Sequence, residues 1–321
     1  MKNILLSGSL TYDYIMSIPE SFSDHILPDH LDKLNLSLVA NTLRKTRGGT
    51  AGNIGYTMSL LQTPSTIISA VGSDGREYLD YLEKRNINSS YIGLDKNSLT
   101  SSVYIVSDKR GSQISTYYGG IDPKLTPHIS IPKGRFAYAI VSPSDNVSRH
   151  MRECATLEMK SIFDPGQNST SLSREEFREF INKTEIFISN EYEAEVMLEK
   201  TGWTMTEVLE KVALVIITKG EKGSELLLND GGSLSIPPCK PKRVLDPSGA
   251  GDAYRGGLLA GLARGLDLQT CAQMGSVAGT YCVESYGCQE HQYTLAEFCA
   301  RYKETYKKEI IISEGRNPST H

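Results

Sequence analysis

Short apolar runs alternate along the chain with segments of helical periodicity. The runs are apolar nearly throughout, which is typical of strands buried on both faces of a parallel sheet; they cover residues 3–9, 65–72, 136–142, 161–165, 186–190 and 213–220. Segments with helical patterns lie between them, at residues 50–61, 76–84, 148–158, 173–183, 192–201 and 206–212. This alternation predicts a doubly wound α/β fold, with a mostly parallel sheet flanked by helices and right-handed crossovers.

Two stretches break this rhythm, residues 13–47 and residues 101–118. In the second, TSSVYIVSD and SQISTYY flank the turn Lys109-Arg110-Gly111, which predicts a β-hairpin. We expect the two stretches to form a small separate sheet that acts as a lid near the strand ends. The predicted large domain is therefore 1–13, 47–100 and 119–312, the small β lid is 14–46 and 101–118, and residues 313–321 form a polar tail.

The composition excludes several classes of protein but does not indicate a function. The 321 residues are 39% hydrophobic and carry a formal net charge of −4, so there is ample material for a core and no broad basic surface for nucleic acid. No apolar run is long enough to span a bilayer, and the first residues lack the pattern of a signal peptide, so we expect a cytoplasmic protein. The six cysteines form no zinc-binding pattern and are expected to be reduced thiols.

The stretch DPSGAGDAYRGGLLAGL, residues 246–262, carries the strongest chemical signal. Gly249, Ala250 and Gly251 have no bulky side chains, so an anion can approach their backbone N–H groups where a helix begins. Such a site holds the charge of a transferring phosphoryl group, and Asp252 is placed to accept a hydroxyl proton. On spacing alone, Asp252 is equally well explained as a common helix-start acid.

Other polar segments are weaker signals individually. The glycine-rich turn from Gly48 to Asn53 also enters a helix; it suits a tight turn or close backbone approach to a ligand, and it lacks the G-K-[ST] of a Walker A loop. Residues 218–223, 190–193 and 164–168 follow strands, and Asp13 is taken to end the first strand. Taken alone, each is better explained as a turn, a cap or a helix start, although the acids of 190–193 also suit a hydrated Mg²⁺. Together they predict a ligand site along one edge of one sheet.

With these motifs, the chain resembles the PfkB, or ribokinase-like, kinases over essentially its whole length. DPSGAGDAYRGGLLAGL resembles the family's C-terminal signature and GGTAGNIGYTMSLLQ its N-terminal glycine signature, while NEYE resembles its N-x-x-E motif and TKGEKGS its nucleotide-binding turn. The segments SFSDHILPDHLDKLNLSLVANTLRKTRGGTAGN and VESYGCQEH are similar to the bacterial adenosine kinase branch. The resemblance implies transfer of the γ-phosphoryl group of ATP to the 5′-hydroxyl of adenosine, giving AMP and ADP.

The same resemblance assigns roles by position. It implies Asp252 as the catalytic base and the amides of Gly249, Ala250 and Gly251 as the anion hole. Asp13, Gly48, Gly49 and Asn53 are implied to bind the ribose hydroxyls, and Ser9, Gln167, Asn168 and Tyr117 to lie near the nucleoside. Asn190 and Glu193 are implied to organise Mg²⁺, through water, and the phosphates. Thr218, Gly220 and Gly223 would line the ATP site, with Cys282, Ser285 and Gly287 near its base.

The lid departs from the adenosine kinase branch. That branch has Phe-Tyr-Pro-Gly-Ala-Met where this chain has Tyr117-Tyr118-Gly119-Gly120-Ile121-Asp122, and Val103 stands in place of a phenylalanine. Because aromatic stacking holds a purine, this departure predicts weaker adenosine binding or a broader base preference. The alternatives are therefore a kinase for ribose, fructose, inosine or guanosine, or a non-catalytic ligand-binding regulator. A dinucleotide-dependent dehydrogenase is excluded because no G-x-G-x-x-G follows the first strand.

Two further expectations concern assembly and ions. Exposed strand edges of a small lid commonly need a partner, so a homodimer joined through the lids is predicted. The resemblance also implies, as in some relatives, a monovalent cation near the anion hole.

Overall fold

The computed structural model describes residues 1–26, 33–130 and 134–312. The predicted tail, residues 313–321, and part of the predicted lid, residues 27–32, lie outside the described residues. The strands are β1 Asn3–Ser7, β2 Thr11–Ser17, β3 Thr42–Gly48, β4 Ser65–Val71, β5 Asn88–Leu94, β6 Ser102–Ser107, β7 Gln113–Tyr118, β8 Phe136–Val141, β9 Ser161–Phe163, β10 Ile186–Asn190, β11 Leu214–Thr218, β12 Ser224–Leu228 and β13 Ser233–Ile236. The α-helices are α1 Thr50–Leu60, α2 Arg76–Glu83, α3 Val147–Thr156, α4 Arg174–Ile181, α5 Glu191–Thr201, α6 Met205–Leu209, α7 Ala250–Arg264, α8 Leu268–Val283 and α9 Leu295–Tyr306.

The predicted doubly wound fold is confirmed. The large sheet has the order β13-β12-β11-β10-β9-β8-β1-β4-β5, parallel from β11 to β5 with β12 and β13 added antiparallel at one edge. From β1 the chain progresses towards β4 and β5, and from β8 it progresses the other way, towards β11. The order therefore reverses between β1 and β8, and ligands of such sheets bind in the crevice at this point.

Alternation along the central strand separates two helical layers. Ile4 and Leu6 of β1 pack in one core with α1, α2, α7 and α8, whereas Leu5 packs in a second core with α3, α4, α5 and α6. Both faces of β1 are thus buried, which explains why the run reads as apolar throughout. Helix α9 lies outside α8 in a smaller third cluster.

The small sheet has the order β3-β2-β6-β7. Strands β6 and β7 are antiparallel, so the predicted hairpin is confirmed. Asp13, however, does not end the first strand: β1 ends at Ser7, and Asp13 lies within β2, paired with Thr46 on β3 and Val103 on β6. The residues Gly8 to Leu10 separate β1 from β2, and the strands of the small sheet reach Thr11 and Gly48, beyond the lid bounds expected from the sequence.

All six cysteines are free thiols, as expected. Over the ranges that the structure describes, no helix combines the length and the apolar character that a membrane crossing requires.

Candidate active site

The turn before α7 is shaped for an anion. Gly249 has φ +75°, in the left-handed region that favours glycine, and it begins the helix. A Cβ at this position would lie 2.8 Å from Cβ of Cys288, so the turn also packs closely on the loop after α8. Among the described residues, the amides of Gly251 and Asp252 have no hydrogen-bond acceptor, whereas the Ala250 amide donates to the Pro247 carbonyl at 3.3 Å. The free donors at this helix start are those an anion would occupy.

Asp252 lies in the first turn of α7, beside Asn53 of α1. Asn53 Nδ2 donates to Asp252 Oδ2 at 2.8 Å. The two helices approach closely because Gly256 of α7 packs on Thr57 of α1, where a Cβ would lie only 2.6 Å from Thr57 Cβ. The structure therefore brings together the two glycine-rich signatures. The hydrogen bond between Asn53 and Asp252 joins residues that are 199 positions apart in the chain.

The electrostatics of Asp252 suit a proton acceptor near neutral pH. Burial raises the pKa of Asp252 from its ordinary value of 3.8 to about 6, against the opposing effects of Arg255 and the Asn53 hydrogen bond. The carboxylates of Asp164 and Glu193 add to the rise. The side chain stays partly accessible, so it is both perturbed and reachable. At pH 7 it is mostly ionised and able to accept a proton.

A buried ion pair supports this helix start. Arg255, one turn after Asp252, places its guanidinium 2.5 Å from Asp164 Oδ1, and the two residues are 6% and 1% exposed. Ser142 Oγ donates to the other carboxylate oxygen at 2.9 Å, and Arg255 also donates to the Gly251 carbonyl at 3.1 Å. The pair fixes the α7 start against the ends of β8 and β9. Sequence reasoning named the strand end at residues 164–168 but missed Arg255.

Asn190 and Glu193 form the start of α5. The Asn190 side chain accepts from the Glu193 amide at 2.8 Å and the Glu193 carboxylate accepts from the Asn190 amide at 2.9 Å, a capping box. The helix-start interpretation of NEYE is therefore confirmed. Burial raises the pKa of Glu193; Asp164 adds to the rise and Arg255 opposes it, and the same two groups act on Asp252.

The donor set at Glu193 bears on a metal ion. No group of three or more histidine, cysteine, aspartate or glutamate side chains suitable for a metal occurs within the described ranges. A single carboxylate suits Mg²⁺, which keeps several waters and binds through substrate phosphates. Glu193 therefore fits the predicted water-mediated role, and Mg²⁺ and a monovalent cation stay predictions.

The Asp13 carboxylate on β2 lies against Gly48 on β3, diagonal to its strand partner Thr46. Thr11 Oγ1 donates to Asp13 Oδ1 at 3.0 Å, and burial raises the pKa of Asp13, with Asp246 adding to the rise. A side chain at Gly48 would overlap the Asp13 carboxylate. Gly49, with φ +87°, begins α1 where only a glycine fits easily. Gly48 thus leaves room for the Asp13 carboxylate, and Gly49 allows the turn into α1.

Because the resemblance implies that Asp13 binds the hydroxyls of the phosphoryl acceptor, we expect Gly48→Ala, which displaces Asp13, to raise KM for the acceptor by about 10- to 100-fold. KM for ATP should change little. Steady-state kinetics with both substrates varied check this expectation. Gly55→Ala in the following helix α1 is the control, since its Cβ would contact only flexible ends such as Ile67 Cδ1 at 3.3 Å. Equal acceptor KM values in the two variants would contradict the assignment of Asp13.

One row of side chains crosses the small sheet towards the crevice. The register aligns Thr46, Asp13, Val103 and Tyr117 on the same face. Tyr117 is 55% exposed at its end of the row. Below it, the β1–β8 switch point forms a crevice lined by Ser9, Ser69, Ser101, Tyr117, Ser144 and Asn146. Asp13 and Tyr117 are two strand spacings apart, about 10 Å, on the same face of the small sheet.

The remaining residues predicted to lie near the nucleoside differ in what they do. Ser9 Oγ accepts from the Thr50 amide at 3.2 Å and so helps to begin α1. Asn168 Oδ1 accepts from the Ser144 amide at 3.1 Å, which shapes the floor of the crevice. Gln167 is exposed and has no polar contact to the crevice among the described residues. The structure therefore gives Ser9 and Asn168 scaffolding contacts at the site.

The predicted ATP residues lie on two loops. Thr218 ends β11 and donates to the Ser189 carbonyl at 3.3 Å, and Gly220 and Gly223, both with positive φ, form the turn into β12. The Gly287 amide donates to Asp246 Oδ2 at 3.0 Å, while Asp246 Oδ1 accepts from the Ser248 amide. Asp246 therefore connects the loop before α7, residues 246–249, with the loop after α8.

Cys282 and Ser285 lie at the end of α8. Cys282 is fully buried and its thiol donates to the Ser248 carbonyl at 3.4 Å, whereas the Ser285 amide donates to the Cys282 carbonyl at 3.0 Å. Cys282 thus supports the loop before α7 from within the protein and does not line an open surface.

Sequence reasoning missed two further residues in VESYGCQEH. Cys288 packs on Gly249, and burial together with Asp13 and Asp252 raises the pKa of its thiol, which keeps it neutral. Gln289 is fully enclosed and bonds to Asn53. Neither has a local signal, because their partners lie elsewhere in the chain.

The fold and the carboxylate beside free helix-start amides define a kinase of the ribokinase-like class. This chain belongs to the pfkB family of carbohydrate kinases, whose pattern matches residues 11–295. It is 31% identical over 294 residues to the nucleoside kinase of Methanocaldococcus jannaschii, covering 90% of this chain and 93% of that protein.

The fold comparison agrees. The structure of Burkholderia thailandensis nucleoside kinase in complex with inosine is 32% identical, covers 95% of this chain and 99% of its own, and has a TM-score of 0.85. The same protein in complex with ADP-inosine covers 98% of this chain with a TM-score of 0.83.

Proposed function

We propose that this protein is an ATP-dependent nucleoside kinase that phosphorylates the 5′-hydroxyl of adenosine. The observation that carries the proposal is the ionisable Asp252 beside free amides at the start of α7, with Asn53 bonded to one of its oxygens. A nucleoside kinase relative over 90% of the chain, and a relative in complex with ADP-inosine, support the acceptor class and the donor.

The geometry supports a direct, in-line transfer. Asn53 occupies Asp252 Oδ2, which leaves Oδ1 for the acceptor hydroxyl. The amides of Gly251 and Asp252 hold the charge of the moving phosphoryl group with little reorganisation. Asp13 binds ribose hydroxyls and Tyr117 stacks on the base at the other end of the row. Mg²⁺ bound through Glu193 and water would neutralise phosphate charge.

Inosine is the second candidate acceptor. Val103 stands beside Asp13 and Tyr117 in the row, so one aromatic side chain rather than two faces the base. A single stacking contact discriminates weakly between purines, and the relative with a TM-score of 0.85 is in complex with inosine. A purely binding protein is disfavoured, since it has no need of a perturbed carboxylate at a helix start.

An acceptor panel tests the proposal. ADP release is measured with adenosine, inosine, guanosine, cytidine, ribose and fructose, and the phosphorylated position is identified by NMR. We expect the highest kcat/KM with adenosine, inosine next, and much lower values for both free sugars. Highest kcat/KM with ribose or fructose would reject the nucleoside assignment, and highest kcat/KM with inosine would replace adenosine by the second candidate.

Tyr117→Ala adds a structural test of the base site. Loss of one stacking contact, about 1–3 kcal/mol, should raise nucleoside KM by about 5- to 150-fold and leave KM for ATP unchanged. Tyr118→Ala is the matched control, because the neighbouring residue on β7 points to the opposite face of the sheet. Equal nucleoside KM values in the two variants would show that the base does not stack on Tyr117.

We also propose a homodimer joined through the small sheets. Strand β7 is an edge strand and every residue from Gln113 to Tyr118 is exposed in the single chain. Long exposed edges with apolar side chains, here Ile114 and Tyr118, are normally covered. Analytical ultracentrifugation gives the mass in solution; a monomer at micromolar concentration would reject this assembly.

A further inference from the structure

Gln289 connects the glycine-rich turn from Gly48 to Asn53 with the Asp252 carboxylate. It lies in the loop between α8 and α9, and it is 2% exposed. Its Nε2 donates to Asn53 Oδ1 at 2.9 Å and to the Tyr78 hydroxyl oxygen at 2.7 Å. The Tyr78 hydroxyl donates to the Gly48 carbonyl at 2.7 Å. A continuous chain of hydrogen bonds therefore runs from Gly48 to Asp252.

The direction of every bond in this chain follows from its first member. The Gly48 carbonyl can only accept, so the Tyr78 hydroxyl proton is committed to it and the Tyr78 oxygen must accept from Gln289. Gln289 therefore turns its NH₂ group towards Tyr78 and Asn53. Asn53 must then present its carbonyl oxygen to Gln289, which turns the Asn53 NH₂ group towards Asp252.

Two observations support the role of the Gln289 NH₂ group. Gln289 Oε1 is buried and has no hydrogen-bond partner among the described residues, so the network uses the donor end of the amide. Gly52 on α1 leaves the space that the network needs: a Cβ there would overlap the Tyr78 hydroxyl and lie 2.9 Å from Gln289 Nε2. The local packing is therefore built around the Gln289 amide.

We propose that Gln289 is a positioning residue for phosphoryl transfer: it fixes the orientation of the Asn53 amide, which holds Asp252 Oδ2 and keeps Oδ1 free for the acceptor hydroxyl. This inference rests on the proposed kinase function of the site. Gln289 acts through Asn53 and does not itself touch the reacting atoms.

The isosteric substitution Gln289→Glu reverses the polarity. A carboxylate offers only acceptors, so Asn53 turns its NH₂ group towards residue 289 and its carbonyl oxygen towards Asp252. Asp252 then keeps this hydrogen bond only when it is protonated, and the added negative charge favours the same state. The acid limb of the kcat–pH profile should move to higher pH. Gln289→Met removes the donors without adding charge and should move it less.

The other groups that act on Asp252 stay in place in these variants. They are Arg255 on α7, Asp164 after β9, Glu193 at the start of α5, and Cys282 and Cys288 at and after the end of α8. Tyr78→Phe removes the anchor at Gly48 and lets the Gln289 amide rotate, so we expect a smaller shift in the same direction. Gln273→Glu is the matched control, because Gln273 is equally buried, lies on α8, and accepts from the Tyr302 hydroxyl at 2.5 Å, a role that a glutamate oxygen keeps.

The experiment measures kcat from pH 5 to 9 for the wild type and the four variants. We expect Gln289→Glu to raise the acid-limb pKa by about one unit or more and to lower kcat at pH 6.5 about threefold or more, with KM for ATP unchanged. Gln273→Glu should keep the wild-type profile. An unshifted acid limb in both Gln289→Glu and Gln289→Met would overturn the inference, because lost packing alone does not move a titration.

A second measurement does not depend on the acceptor. The carboxyl ¹³C shift of Asp252 in nucleoside-free protein, assigned by its loss in Asp252→Asn, reports the titration directly. A raised pKa in Gln289→Glu but not in Gln273→Glu supports the inference even if no nucleoside proves to be a substrate, which would reject the proposed function alone. If Gln289→Glu unfolds, Gln289→Met and Tyr78→Phe give the same comparison, and wild-type titration in both overturns the inference.

Discussion

Replacing Asp252 with Asn is expected to lower kcat by about 10²- to 10⁴-fold at pH 7 and to leave the fold intact. The substitution keeps an oxygen that can accept from Asn53 but removes the group that receives the acceptor's proton. KM for ATP should change little, since the amides at the start of α7 remain. Steady-state kinetics measures the change in kcat, and circular dichroism checks that the fold is intact. A variant that retains more than a tenth of wild-type kcat would mean that Asp252 is not the base.

The same substitution should stabilise the protein above pH 6. Burial raises the pKa of Asp252 from 3.8 to about 6, so between these values the folded protein binds more protons at this site than the unfolded chain. The contribution of Asp252 to stability is therefore lost as the pH rises through 6, where the ionised form opposes burial. Thermal melts of both proteins at pH 5 and pH 8 measure this. We expect the Tm advantage of Asp252→Asn to be larger at pH 8; a larger advantage at pH 5 would contradict the raised pKa.

Wild-type kcat should fall below about pH 6 for the same reason, because protonated Asp252 no longer accepts a proton. The loss of activity below pH 6 and the loss of stability above pH 6 have one cause, the burial of the Asp252 carboxyl group. A site that needs an ionised acid with a raised pKa gives up some folding free energy for it.

The elements that the sequence predicted well are those with clear ends. The strand predicted at 186–190 matches β10, and the helix predicted at 50–61 matches α1 to within one residue, because glycine or polar residues bound each run. Helix α8 was not predicted. Its sequence LQTCAQMGSVAGTYCV is buried on most sides against α7 and α9, so its small and apolar residues form no amphipathic stripe.

The site residues also fall into two groups, those with a local sequence signal and those without one. Gly249, Asp252 and the Gly48–Asn53 turn carry local signals, since a bare helix start and an acid among glycines are visible in a short window. Arg255 and Gln289 carry none: one pairs with Asp164, 91 residues away, and the other with Asn53, 236 residues away. Only the packing of α1, α7 and the loop after α8 brings these partners together.

The buried pair of Asp164 and Arg255 leads to the largest expected effect on stability. Asp164→Ala should lower the free energy of unfolding by about 3–5 kcal/mol, because it leaves the Arg255 guanidinium buried without a counter-charge. Urea denaturation at pH 7 measures the change. A cost below 1 kcal/mol would show that water or another carboxylate replaces the lost partner.

The double variant Asp164→Ala/Arg255→Met is the control that separates an unpaired charge from lost packing. Removing both charges should cost less than Asp164→Ala alone, since no buried guanidinium remains. The two variants should also differ in the titration of Asp252, because Asp164 raises its pKa and Arg255 lowers it. The acid limb of the kcat–pH profile should lie below the wild-type position in Asp164→Ala and above it in the double variant, because the Arg255 effect is the larger of the two. Acid limbs in the same place in both variants would show that the ion pair holds α7 in place without tuning its carboxylate.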